Sequence, residues 1–177
     1  MHGTPRLFLI GPMGAGKTAI GKELARQLEL DFLDADQEIE RRTGVDIPLI
    51  FDKEGEAGFR RREREVIAEL TQRPALVLAT GGGAVLDPAN REALKSRGCV
   101  IYLRASLEAQ AARTAQNRHR PLLHTEDRES RLKQLFEMRR PLYEGLADVT
   151  IDTDSGQVKQ ITQRIIKELE RQDADSR

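Results

Sequence analysis

The sequence predicts a three-layer α/β fold, a parallel sheet with helices on both faces. Three observations point to it. Short apolar runs of β character alternate with amphipathic helical stretches along the 177 residues, the signature of βαβ units. Several of those runs are nearly continuous in apolar residues, as strands covered on both faces should be. The first run leads directly into a glycine-rich turn, GPMGAGKT, from Gly11 to Thr18.

The elements follow in order. A strand is expected over residues 6–10, with Leu7, Phe8, Leu9 and Ile10 as its apolar body. After the glycine turn, Ile20, Leu24 and Leu28 fall at i, i+4 and i+8 on one helix face. A second strand is expected at 31–34, followed by a helix through QEIERR. FRRRERE, from Phe59 to Glu65, reads as a solvated helix face with i,i+4 charge pairs; spacing does not say which arginine, if any, turns inward. A third strand is expected at 75–80. Asp87 and Pro88 then start a helix, as N-cap and first helical residue, and Gly98 stops it. A fourth strand is expected at 99–103, and Ser106 can cap a helix through LEAQAART. A long helix from about 127 to 145, a strand at 148–151 and a helix from about 156 to 171 complete the pattern, leaving 172–177 as a frayed tail.

The bulk numbers set limits. The length suits one domain over 1–177, able to bury about two-thirds of its unfolded surface. A formal net charge of +0 argues against a sequence-independent grip on nucleic acid, but the abundant arginines suit small anionic ligands. The single cysteine, Cys99, excludes an internal disulfide and a thiolate zinc cluster, and reads as a small core residue. The opening MHGTPRLFLIG lacks a long apolar core and a small-residue cleavage site, and no apolar stretch is long enough to span a membrane, so the expected setting is the cytoplasm.

The glycine turn fits G-x-x-x-x-G-K-[ST]. A phosphate chain is best held by main-chain N–H groups at a helix N-terminus, where the helix dipole favours negative charge. Gly11, Gly14 and Gly16 let the backbone approach, Lys17 places a charge on the β and γ oxygens, and Thr18 offers a hydroxyl to Mg²⁺. The implied ligand is the phosphate tail of ATP or GTP. In DFLDADQEIE, Asp34 and Asp36 would face the same side of an extended segment. One carboxylate could hold a magnesium water while the other receives a substrate hydroxyl proton; alternatively, Asp36 caps the following helix. The strand before TGGGAV lacks a terminal acidic residue, so Asp34 must take any Walker B role. The three glycines there suggest close approach of a ligand. RTAQNRHRPLL, from Arg113 to Leu123, reads either as a flap over the nucleotide or as an ordinary exposed loop. The glycine turn, Asp34 and the 80–83 segment all fall at strand ends, where ligands of parallel sheets bind.

GPMGAGKT, DADQEIE, GFRRRE, LATGGGAV, RHRPLL and RRPLYEGLAD, in this order over nearly the whole chain, together resemble the shikimate kinase family. The resemblance implies a P-loop kinase fold with a five-stranded parallel sheet in the order 2-3-1-4-5 and a mobile lid over about 113–125. It implies ATP and Mg²⁺ as cofactors, shikimate as substrate and a monomer as the working unit. Gly14, Ala15, Gly16, Lys17, Thr18 and Ala19 would hold the phosphates, with Thr18 on Mg²⁺ and Asp34 reaching it through water. Asp36 would bind the ring hydroxyls, within a substrate-binding region of about 34–65. Arg60, Arg139 and the backbone of Gly81, Gly82 and Gly83 would hold the carboxylate. Arg120 would contact the ATP phosphates, Arg113 the adenine, and Gln157 its other side. Lys17, Asp36, Arg120 and Asp34 form the implied catalytic set. No Asn-Lys-x-Asp element for guanine occurs in the chain, which disfavours a GTPase-type switch.

Overall fold

A computed structural model describes residues 5–115 and 127–176. Five parallel strands form one sheet in the order β2-β3-β1-β4-β5: β1 (Arg6–Ile10), β2 (Asp31–Asp34), β3 (Leu76–Ala79), β4 (Cys99–Arg104) and β5 (Val149–Asp152). The central strand β1 pairs Phe8 with Leu78 on one side and Val100 on the other. The helices are α1 (Lys17–Leu28), α2 (Ala35–Thr43), α3 (Ile47–Leu70), α4 (Pro88–Arg97), α5 (Leu107–Thr114), α6 (Arg128–Leu146) and α7 (Val158–Asp175), with a short 3-10 turn at Ala84–Leu86.

The strand alternation sorts the layers. Phe8 and Ile10, with Leu78 and Tyr102, pack against Ile39, Phe59, Ile67, Leu94 and Tyr143 from α2, α3, α4 and α6. Leu7 and Leu9, with Val77 and Ile101, pack against Leu24 of α1 and Ile165 of α7. Both faces of the sheet are therefore covered, which explains why its strands read as unbroken apolar runs. The three layers and the expected strand order are both present.

Three details differ from the sequence reading. β3 starts at Leu76, because Ala75 has φ 52° and cannot continue the ladder. The tail does not fray from 172: α7 runs to Asp175, held by Gln172 donating to the Asp148 carbonyl at 2.9 Å and by an Arg171–Asp175 ion pair at 3.2 Å. The arginine-rich helix is the second half of a longer one. α3 is capped by Asp46, whose side chain accepts from the Leu49 N–H at 3.0 Å, and breaks at Gly55, with φ 71° and ψ −179°.

All strand carboxyl ends meet on one side of the sheet. That edge carries the Gly11–Thr18 loop after β1, Asp34 at the end of β2 and Thr80–Gly83 after β3.

Candidate active site

The loop after β1 is set by the buried apolar strand beneath it and by left-handed glycines at Gly14 (φ 79°) and Gly16 (φ 91°). No side chain caps α1, so its first N–H groups point into the loop with the positive end of the helix dipole behind them. Lys17 folds over the loop and donates to the carbonyls of Gly11 (2.6 Å) and Pro12 (2.8 Å). Thr18 Oγ1 donates to Asp34 Oδ2 at 2.7 Å. A crevice of about 270 Å³ opens here, lined in part by Lys17, Thr18, Asp34, Asp36, Thr80 and Arg113. Ala19 lines it too, whereas Ala15 is buried beneath the loop.

Asp34 and Asp36 share this crevice, but not by alternation along a strand. Asp34 is the N-cap of α2: its Oδ1 accepts from the Gln37 N–H at 3.1 Å while Oδ2 faces Thr18. Asp36 already lies in the first turn of α2. The extended-segment reading and the alternative in which Asp36 caps the helix are both corrected. Asp34 takes the cap because it is the last residue with extended backbone angles, as an N-cap requires.

The glycine stretch after β3 makes room for side chains of the site itself. A Cβ at Gly81 would stand 2.8 Å from Asp36 Oδ1 and 3.0 Å from Glu63 Oε2. At Gly82 it would stand 3.3 Å from Arg139 Nη1 and 3.5 Å from the Met13 nitrogen of the phosphate loop. At Gly83 it would overlap the Arg60 guanidinium. These three residues are thus the floor on which the acidic pair and both arginines meet, one contact from the phosphate loop.

FRRRERE is only partly a solvated face, which corrects the sequence reading. Arg60 turns inward and donates to Glu63 Oε1 at 2.9 Å, lying over the Phe59 ring at 5.2 Å. Arg62 stays outside on Glu54, and Arg64 reaches Asp87 at 2.6 Å. Glu63, to which the sequence reading assigns no role, is 0% exposed. Burial pushes its carboxyl up to about 7; Arg60 pulls the other way and Asp36 adds to the rise. Its i,i+3 spacing from Arg60 was the available signal. Arg139 is 3% exposed, and burial draws its guanidinium below the ordinary range. For Arg60 burial acts in the same sense, but Glu63 and Glu56 outweigh it and raise the group. Among the described residues, Arg60 Nε, Glu63 Oε2 and Arg139 Nε are buried polar atoms with no hydrogen-bond partner. Such atoms are costly unless something polar meets them, and a small carboxylated polyol has the matching acceptors and donors.

The two residues expected at the adenine both have partners within the chain. Arg113 belongs to α5, so the segment expected to start a lid at 113 is helical through Thr114. Its guanidinium donates to the Gly14 carbonyl (2.8 Å) and the Thr153 carbonyl (2.7 Å), tying the phosphate loop to the segment after β5. Gln157 is the N-cap of α7, in a reciprocal box with Gln160. Arg120 lies outside the described residues.

The chemistry of this arrangement is that of a hard cation and a polyphosphate. Thr18 and Asp34 supply oxygen donors, which suit Mg²⁺ completed by waters and phosphate oxygens. Among the described residues no group of three or more His, Cys, Asp or Glu could hold a metal ion without such help.

Comparisons with known proteins point to one family. The family model described as shikimate kinase matches residues 13–170. The shikimate kinase of Legionella pneumophila (strain Corby) is 57% identical over 163 residues, 92% of this chain and 93% of that protein. A solved shikimate kinase from Acinetobacter baumannii, in complex with shikimate, superposes with a TM-score of 0.93 at 50% identity, covering 95% of this chain and 94% of that one. The shikimate kinase of Aquifex aeolicus superposes with a TM-score of 0.81 at 34% identity, covering 96% and 98%.

Proposed function

The chain belongs to the shikimate kinase family, and on that premise we propose that it transfers the γ-phosphoryl group of ATP to the 3-hydroxyl of shikimate, giving shikimate 3-phosphate and ADP in aromatic amino acid biosynthesis. The observation that supports this most is the meeting of Asp36, Glu63, Arg60 and Arg139 on the Gly81–Gly83 floor, directly beside the phosphate loop.

In this reading Gly14, Ala15, Gly16, Lys17, Thr18 and Ala19 hold the phosphates, and Thr18 with Asp34 holds Mg²⁺. The metal, when bound, neutralises charge on the phosphate oxygens. Lys17 leaves the carbonyls of Gly11 and Pro12 for the phosphates. Arg60 and Arg139 clamp the substrate carboxylate with the Gly82 backbone, and guanidinium forks give that grip its geometry. Asp36 receives the ring hydroxyls, orients the attacking oxygen and accepts its proton. Arg120 contacts the phosphates from the 113–125 segment, and Arg113 and Gln157 lie at the adenine side. Positioning and charge stabilisation carry the rate, with no covalent intermediate. The protein acts as a single kinase domain over 1–177, as a monomer and in the cytoplasm; among the described residues, no helix is long and apolar enough to cross a membrane.

The test is ADP release from MgATP with shikimate, gluconate, AMP or no acceptor. Release only with shikimate is expected. Equal release with gluconate or AMP overturns the assignment.

A further inference from the structure

We propose that Tyr143 is a positioning residue for the acceptor side of the reaction, holding Arg139 and the Gly82 backbone in the geometry that receives the substrate carboxylate. Tyr143 is 0% exposed, and its hydroxyl donates to the Gly82 carbonyl at 2.5 Å, a contact between residues 61 positions apart. Arg139 lies one turn earlier on the same face of α6. Its Nη1 would be 3.3 Å from a Cβ at Gly82, so phenol, guanidinium and glycine form a closed set of neighbours. The two side chains also sit close enough for each to shift the charge balance of the other.

The reason for an external tether lies in α6 itself. Pro141 stands inside the helix, between Arg139 and Tyr143. A proline there removes an i→i−4 hydrogen bond and pushes against the carbonyl one turn back. The stretch that carries Arg139 is thus less restrained by its own helix, and the Tyr143–Gly82 hydrogen bond fixes it from outside. Tyr102 sets the ring, stacking on Tyr143 with centroids 5.2 Å apart. The Tyr102 hydroxyl is buried without a hydrogen-bond partner among the described residues, so it supplies a matched control: a neighbouring phenol whose oxygen holds nothing.

This inference rests on the shikimate kinase reading, and the experiment separates the two. Steady-state kinetics of the wild type, Tyr143→Phe and Tyr102→Phe are measured with shikimate and ATP each varied. Tyr143→Phe should raise KM for shikimate about tenfold, the equivalent of one lost hydrogen bond, with kcat and KM for ATP within about twofold. Tyr102→Phe should change none of the three. Wild type that does not phosphorylate shikimate overturns the functional reading itself. Active wild type with an unchanged shikimate KM in Tyr143→Phe overturns only the tether, as does a parallel rise in both KM values, which is general loosening.

The chain has two tyrosines, which gives a second readout that does not need the Tyr143→Phe variant to fold. In protein labelled with 3-fluorotyrosine, Tyr102→Phe assigns the two fluorine resonances. The Tyr143 resonance should move on adding shikimate without nucleotide; a resonance unmoved at saturating shikimate overturns the proposal.

Discussion

The two halves of the site are built by different means. The phosphate half is local and made largely of backbone: Lys17 bonds carbonyls five and six residues away, and Thr18 reaches Asp34, 16 residues on. The acid half is made of buried side chains brought together across the chain. Gly81–Gly83 gather Asp36 from α2, Glu63 and Arg60 from α3 and Arg139 from α6, and Tyr143 closes the set from 61 residues away. A main-chain cradle binds any polyphosphate tail and leaves little to adjust. A cluster of buried charges is selective, because each member left unpaired is costly, and its charge state is set by burial and then by its neighbours.

If the halves are separable, damage to one should leave the other intact. The largest effect is expected from Asp36→Asn, which lies where they meet. Turnover should fall by at least about a hundredfold, the lower end of general-base contributions, while ATP still binds by calorimetry; near-normal turnover removes Asp36 from the reaction. Arg139→Ala comes next. Truncating one member of a buried charge set costs about 2–5 kcal/mol, so KM for shikimate should rise by at least about thirtyfold with KM for ATP little changed. A rise in the ATP value alone would mean that Arg139 serves the wrong half.

Two glycine substitutions sharpen the comparison. A methyl at Gly83 meets the flexible end of Arg60, so Gly83→Ala should fold, displace that guanidinium and raise KM for shikimate about tenfold, equivalent to about 1.4 kcal/mol. A methyl at Gly14 meets the Gln110 carbonyl at 3.2 Å in a left-handed backbone, so Gly14→Ala should raise KM for ATP instead. Parallel changes in both values for either variant would show that the halves are one unit.

The smallest expected effect is a pH dependence confined to the acid half. Glu63 titrates near 7 in the folded protein against an ordinary value of 4.5. Between those values the folded state binds the proton more tightly, so this group's contribution to stability falls as pH rises from about 4.5 to 7. Glu63→Gln lacks that loss. Its melting temperature relative to wild type should therefore climb across the window by at least about 3 °C. A difference that stays flat with pH places the Glu63 carboxyl at its ordinary value.

The same contrast decides what the sequence discloses. The phosphate loop, Asp34 and the order of the elements were legible, because spacing along one segment determines them. The helix start at Asp87 and Pro88 and the Ser106 cap were legible for the same reason. What escaped depended on distant partners. Whether Asp34 or Asp36 caps α2 turns on where the extended backbone of β2 ends. Glu63 looks like any exposed charge in FRRRERE until α3 is docked on the sheet and the carboxylate meets Gly81. Arg139 was named through family resemblance, since RRPLYEG alone says nothing, and Tyr143 beside it was missed because its partner Gly82 lies far away in the sequence. Gly55, which breaks α3, has open space around it and left no packing signature to read.

The central claim is that one crevice joins the polyphosphate cradle to an arginine clamp through Asp36. A crystal structure of the protein with MgADP and shikimate tests it most directly. The expected result is the carboxylate on Arg60 and Arg139 and a ring hydroxyl on Asp36, facing the nucleotide. Shikimate seated with its carboxylate away from both arginines, or with Asp36 out of reach of its hydroxyls, would contradict it.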